Sequence, residues 1–89
     1  MNPEQREIFR TSLLRVLEER ASERFGLGVT AIIVFLGQYG FRNSTAAAVN
    51  TELAYLADKQ LAVTVGKTIS PENACWRITA TGRDHLAQS

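Results

Sequence analysis

LAVTVGKTISPENACWRIT, residues 61–79, is the stretch of sequence that decides the fold. At its start Leu61, Val63 and Val65 alternate with smaller side chains, and this alternation predicts a half-buried strand. Residues 66–74 are interrupted by Gly66, Pro71 and Asn73, and they are predicted to form a loop. The stretch therefore begins as one arm of a β-hairpin.

The second arm is CWRIT, which comes directly after the loop. Trp76 and Ile78 fall on one face of the predicted strand, and Trp76 is expected to seal the hairpin against helices. Thr79 is a good N-cap for a short final helix, ATGRDHLAQ, whose Leu86 is expected to return to the core.

The chain opens with a clear signal for the start of a helix. Asn2 can cap, Pro3 suits the first helical position, and Gln5 stands three residues after the cap. The helix is predicted to end at residues 22–24, before Gly26. Its wide apolar stripe comprises Ile8, Phe9, Leu13, Leu14, Val16 and Leu17.

The next segment, VTAIIVFLGQYG at residues 29–40, is ambiguous between helix and strand. Its Val, Ile, Thr and Phe residues favour a strand, while its length and bounding glycines favour a buried helix. We predict a helix over residues 29–39, because that order of elements fits the hairpin that follows.

A third helix is predicted with Asn43 or Ser44 as its cap and with its end near Lys59 or Gln60. Its buried stripe comprises Val49, Leu53 and Leu56. Its outward face comprises Ala47, Thr51, Ala54, Tyr55 and Asp58.

Three helices, a two-stranded hairpin and a short C-terminal helix make residues 1–89 a single α+β domain that is mostly helical. Two strings resemble winged-helix proteins. VNTELAYLADKQLAVTV, residues 49–65, resembles a recognition helix and the first strand of the wing, with Gln60 where glycine is usual. WRITATGRDHL, residues 76–86, resembles the end of the wing in the MarR and PadR groups.

The resemblance extends to small winged-helix proteins of Mu-like prophages. Such proteins pair a first helix similar to IFRTSLLRVLEE, residues 8–19, with a third helix of the form V-x-x-x-L-x-x-L. It implies a DNA-binding regulator of phage type.

In a winged-helix protein the amino-terminal half of the third helix would enter the major groove of double-stranded DNA. The candidate DNA contacts are Arg42, Asn43, Ser44, Thr45, Ala47, Thr51 and Tyr55, with Lys67 in the wing loop and Arg77 on the returning strand. The formal net charge is only +1, and the third helix has no arginine or lysine before Lys59. The alternative is therefore a winged-helix module that binds or assembles with proteins instead of DNA.

The first helix carries more apolar side chains than one packing face needs, and surplus apolar area often marks an interface. We therefore expect a homodimer, with candidate interface residues Ile8, Phe9, Leu13 and Leu14. In the alternative, the wide stripe contacts both the second helix and the C-terminal segment.

Composition limits the other functions. Cys75 is the only cysteine, so the chain forms no internal disulfide, and no signal-peptide or membrane segment is evident. We expect a cytoplasmic protein. The sequence shows no metal-ligand spacing, catalytic constellation, cofactor motif or small-molecule site, so we expect neither an enzyme nor a cofactor.

Overall fold

The computed structural model describes residues 2–20, 26–65 and 74–88. Within them the domain is α+β and mostly helical, with four helices and a three-stranded antiparallel sheet. The described elements are α1 (Pro3–Glu19), β1 (Leu27–Gly28), α2 (Val29–Leu36) with a 3₁₀ turn (Gly37–Tyr39), α3 (Ala46–Asp58), β2 (Ala62–Val65), β3 (Cys75–Ile78) and α4 (Ala80–Ala87). The end predicted for the first helix at residues 22–24 and most of the predicted wing loop lie outside these residues.

Three helices begin at side-chain caps. Asn2 Oδ1 accepts a hydrogen bond of 2.7 Å from Gln5 N, and Thr79 caps α4 as predicted. The cap of α3 was predicted wrongly, because it is Thr45, whose Oγ1 accepts from the amide nitrogen of Ala48. Ser44 cannot serve, since its hydroxyl donates back to the Phe41 carbonyl.

Two helices end in the same left-handed turn. After α2, Gly40 has φ 92° and the next amide donates across the turn to the Leu36 carbonyl at 3.1 Å. After α3, Gln60 has φ 63° and the Leu61 amide donates to the Leu56 carbonyl at 2.9 Å. Both patterns are Schellman motifs. Gln60 therefore adopts the glycine-type geometry without being glycine.

The sheet contains a strand that sequence analysis did not predict. β1 pairs with β3 on the edge opposite β2, with Leu27 opposite Trp76. Two residues are too few to give a periodic signal. Gly26 makes the pairing possible: its φ is 74°, and a Cβ there would lie 2.7 Å from the Trp76 carbonyl oxygen.

The burial of β2 does not follow the predicted alternation, because Ala62 is its one buried residue, Val63 and Thr64 are exposed and Val65 is partly buried. Val63 is 47% exposed, whereas Ala62 is 3% exposed and lies opposite the buried Ile78. Leu61 is buried, but it belongs to the turn before the strand, so its direction does not set the phase of β2. Trp76 is partly buried and packs against the core.

One polar joint connects the end of α3 to the start of α4. The Thr79 hydroxyl accepts from Gly82 N at 2.9 Å and donates to the Gln60 carbonyl at 2.7 Å. The Thr79 amide donates to the Leu61 carbonyl at 3.1 Å. A Cβ on Gly82 would overlap that same carbonyl oxygen and would come 2.7 Å from Ile78 Cγ1. The T-x-x-G spacing thus fits a close contact between backbones.

The core is centred on α1, which contacts helices α2, α3 and α4 and strand β3. Its fully buried side chains are Phe9, Leu13, Leu14, Val16 and Leu17. They meet Ile32 and Leu36 from α2, Val49, Leu53 and Leu56 from α3, and Ile78 and Leu86 from the C-terminal part. In the described parts of the chain, no helix is long and apolar enough to cross a membrane.

Candidate nucleic-acid interface

The turn between α2 and α3 gathers four of the predicted DNA contacts. Arg42, Asn43, Ser44 and Thr45 line one surface cleft of about 580 Å³, here called the turn cleft. Its floor includes Phe9 and Phe41, whose rings meet edge to face with centroids 5.0 Å apart. The Schellman turn at Gly40 directly precedes this segment, which leads into the amino end of α3.

The hydroxyl groups of the site form hydrogen bonds with nearby backbone atoms. Ser44 Oγ donates to the Phe41 carbonyl, and Thr51 Oγ1 donates to the Ala47 carbonyl, each at 2.9 Å. Thr45 Oγ1 accepts from Ala48 N at 3.1 Å, which leaves its own proton outside that bond. Ser44 and Thr51 would have to break these bonds to donate to a phosphate, so Thr45 is the best placed of the three.

The outward face of α3 is the one that the sequence predicts. Ala47, Thr51, Ala54, Tyr55 and Asp58 are all exposed. Positions 47, 51 and 54 lie one above the other along the helix, and their side chains are short. This exposed strip, at positions 47, 51, 54 and 58, carries no cation, and its last residue is the acidic Asp58. It offers shape to a ligand but little positive charge.

Two cations contact the ring of Tyr55. The Arg10 guanidinium carbon lies 3.6 Å from the centroid of the Tyr55 ring, and Lys59 Nζ lies 5.8 Å from it. The side chain remains 37% exposed. Such cation–π contacts stabilise this orientation of the ring by about 0.5–1 kcal/mol each at an exposed site.

A buried carboxylate lies behind this face, and sequence analysis missed it. Glu52 is 8% exposed, and its Oε2 accepts from Arg10 Nε at 2.6 Å while its Oε1 lies 3.6 Å from Arg6 Nε. Arg10 also donates to Glu7 at 2.9 Å. Burial alone would lower the pKa of Arg10, but these two carboxylates more than reverse that effect and raise it.

The sequence spacing of Glu52 already indicated that it lies on the buried side of α3. Glu52 stands three residues after Val49 and four before Leu56, so it falls on the buried stripe of α3. A carboxylate at such a position is stable only with a cation or other donors beside it. Arg10, on the facing helix α1, supplies that partner.

Arg77 and Lys67 are the two DNA contacts predicted in the hairpin, and the structure describes only Arg77. Arg77 is half-buried on β3, opposite Val63, and its Nε has no exposed surface. It is therefore less available to a phosphate than an arginine at the tip of a wing. Lys67 lies outside the described residues.

Three of the four residues predicted at a dimer contact are buried inside the domain. Phe9, Leu13 and Leu14 are at most 1% exposed, because α1 is wrapped by the other helices and the sheet. The domain itself therefore buries the wide stripe of α1 except for Ile8. Only Ile8 is available, with 52% of its surface exposed beside a shallow cleft that also contains Tyr39.

Comparison with protein-family models, with curated proteins and with solved structures found no match to this chain. Among the described residues, no group of three or more His, Cys, Asp or Glu side chains could hold a metal ion.

Proposed function

We propose that this chain is a winged-helix domain that binds double-stranded DNA through the amino-terminal half of α3, as a small regulator of the kind that Mu-like prophages encode. The hairpin of β2 and β3 serves as the wing, and β1 extends the sheet on its far edge without changing the order of the helices. The observation that carries the proposal is the open, short-chained face of α3, with exposed Arg42 and Asn43 at its amino end.

Geometry supports this assignment more than charge does. The major groove is about 12 Å wide and admits a helix, and short side chains let the helix backbone approach the base edges. Arg42 and the first amides of α3 suit phosphate contacts, while Asn43 can pair with adenine. Thr51 and Tyr55 lie further along the same face.

The domain is proposed to act as a dimer, with Ile8 at the contact. To read two half-sites one turn of duplex apart, such a pair would have to hold its two α3 helices about 34 Å apart. Sedimentation velocity of wild type and Ile8→Glu tests the contact. A wild-type monomer at every concentration would remove the dimer from the proposal but leave DNA binding to be judged separately.

The test of DNA binding is a salt titration of fluorescence anisotropy with a mixed-sequence duplex. Loss of one phosphate contact in Arg42→Gln should lower the salt slope by about 1. Arg83→Gln is the matched control, because Arg83 is exposed on α4 and its neighbour Gly82 packs against Leu61, at the opposite end of α3. Failure of wild type to bind at low salt would overturn the proposal, since even nonspecific binding should appear there.

A specific observation supports a second candidate, a protein-binding module. The exposed strip of α3 carries only the negative charge of Asp58. Thr51→Lys distinguishes the two functions, because a cation on this strip should strengthen binding to duplex and should hinder a protein partner that fits a neutral face. If Thr51→Lys gains DNA affinity that wild type lacks entirely, the neutral face was not built for DNA.

A further inference from the structure

The asparagines of this chain differ in how open they are to loss of the side-chain amide. In that reaction the backbone nitrogen of the next residue attacks the side-chain carbonyl carbon. It requires a carboxamide that is free to turn, a following amide that is not held in regular structure, and access for water. The sequence has asparagine at positions 2, 43, 50 and 73, and the structure describes the first three.

Two of these asparagines are protected. Asn2 is followed by Pro3, which has no amide proton to lose, and its Oδ1 accepts from Gln5 N at 2.7 Å. Asn50 lies inside α3, where the amide of Thr51 belongs to the hydrogen-bonded helix. The helix would have to open locally before Asn50 could react. An opening cost of only about 1.4 kcal/mol slows a reaction about tenfold.

Asn43 meets all of the requirements. It is exposed, and with Arg42 it forms the turn that leads into α3. In the described parts of the chain its carboxamide has no hydrogen-bond partner, and the Ser44 amide makes no backbone hydrogen bond. The Ser44 hydroxyl donates to the Phe41 carbonyl at 2.9 Å, so it does not hold the Asn43 side chain either.

We propose that Asn43 is a site of spontaneous deamidation. The Ser44 amide gives its proton to solvent, its nitrogen bonds to Cγ of Asn43, and the side-chain nitrogen leaves as ammonia. The product is a five-membered cyclic imide, which water opens at either carbonyl to give aspartate or isoaspartate. One water is consumed and one ammonia is released, and nothing is oxidised or reduced.

This reaction changes the charge of the turn cleft. Arg42 is the only charged residue among the described residues that line the cleft, so a carboxylate at position 43 would offset its charge. That carboxylate would also repel phosphate, so the modified chain should bind DNA more weakly. The effect on DNA binding rests on the proposed function, whereas the deamidation itself does not.

The experiment compares two asparagines in one peptide. The full chain is incubated in mildly alkaline water enriched in heavy oxygen, and it is then digested with trypsin in ordinary water. Trypsin cuts after Arg42 and Lys59, so residues 43–59 form one peptide that contains both Asn43 and Asn50. Tandem mass spectrometry locates the heavy oxygen. In the folded chain Asn43 should convert at least about tenfold faster than Asn50, and this ratio should narrow in urea.

Two substitutions at position 44 test the nucleophile. Ser44→Gly removes a side chain that hinders the attack and should speed conversion of Asn43. Ser44→Thr keeps the hydroxyl but adds a methyl group on Cβ, so it should slow conversion. Equal rates in these two variants would overturn the proposal. So would conversion of Asn43 no faster than that of Asn50, or a rate at Asn43 that rises more than about tenfold in urea, since the folded turn would then protect it.

A separate measurement tests the effect on DNA binding. Asn43→Asp carries the charge of both products and should weaken binding to duplex about tenfold, as expected for loss of one base contact. Gln60→Glu is the matched control, because it makes the same amide-to-carboxylate change just beyond the opposite end of α3 and should bind as wild type does. Equal binding by Asn43→Asp and wild type would overturn the effect on binding. If wild type binds no duplex, the proposed function fails and the mass spectrometry still decides whether Asn43 deamidates.

Discussion

The turns after α2 and α3 have the same hydrogen bonds but different support. The first is closed by Gly40, and a Cβ added there would meet nothing within 4 Å. The second is closed by Gln60, whose backbone is left-handed although the residue is not glycine. This turn is supported by the hydrogen bond from Thr79 to the Gln60 carbonyl and by the close packing of Gly82 against Leu61. One turn is specified by its own residue, and the other by contacts from the far end of the chain.

This difference assigns the two turns different roles. The turn at Gly40 directs the segment that leads into the turn cleft, and local backbone freedom is enough to form it. The turn at Gln60 joins α3 to the sheet and to α4, so its strain is offset by tertiary hydrogen bonds. Substitutions at either turn should therefore show whether stability comes from the backbone or from the joint.

The largest effect is expected at Gly82. Gly82→Ala should lower the free energy of unfolding by about 3 kcal/mol, because the new Cβ would overlap the Leu61 carbonyl and crowd Ile78. Urea denaturation measures it. Gly37→Ala is the control, since a Cβ there has room, and it should be neutral or stabilising by under about 1 kcal/mol. Equal stability of the two variants would show that the joint can relax.

Removing the Thr79 hydroxyl should have the next largest effect. Thr79→Ala loses both an N-cap and the bond to the Gln60 carbonyl, for a cost of about 2 kcal/mol. Thr45→Ala removes a cap of the same type at α3 and should cost about 1 kcal/mol. The difference between the two variants in thermal or urea unfolding measures the link to the turn, and no difference would mean that the link adds nothing.

A smaller loss is expected from Gly40→Ala. An alanine would have to adopt φ near 92°, which costs about 1–1.5 kcal/mol, with no steric clash to add to it. Urea denaturation gives the value. A loss as large as that of Gly82→Ala would contradict the idea that this turn depends on backbone freedom alone.

The smallest effect is a gain. Gln60→Gly should relieve the left-handed strain of Gln60 and, after the entropy cost of glycine, stabilise the fold by about 0.5 kcal/mol. A rise in Tm of a few degrees is expected. Destabilisation instead would show that the Gln60 side chain supports the turn through contacts of its own.

Local signals were enough to predict most of the helices. Asn2 and Thr79 as caps, and glycine at position 40, act within one or two turns of chain, so the sequence shows them directly. The errors lie where distant residues decide. β1 forms by pairing with Trp76 and Cys75, which lie far along the chain, and in β2 the buried residue is Ala62 and not Val63.

In the candidate site, too, features set by local spacing were predicted from the sequence, and features set by distant contacts were not. The outward face of α3 follows from helical spacing, which is why Ala47, Thr51 and Tyr55 were placed correctly. The burial of Phe9 and the pairing of Arg10 with Glu52 depend on how α1 is packed, and the composition of one helix does not determine that. The wide apolar stripe belongs to a central helix, and all of its residues except Ile8 are buried within the domain.

The pairing of Leu27 with Trp76 has a consequence for how the chain folds. These partners are separated by more than half of the sequence, so their contact closes a large loop, whereas β2 and β3 are neighbours along the chain. Loop closure costs entropy before any contact is gained, which favours late formation of such a pair. We therefore expect the amides of β1 to gain protection from hydrogen exchange last during refolding, after the hairpin and α1 have formed their contacts.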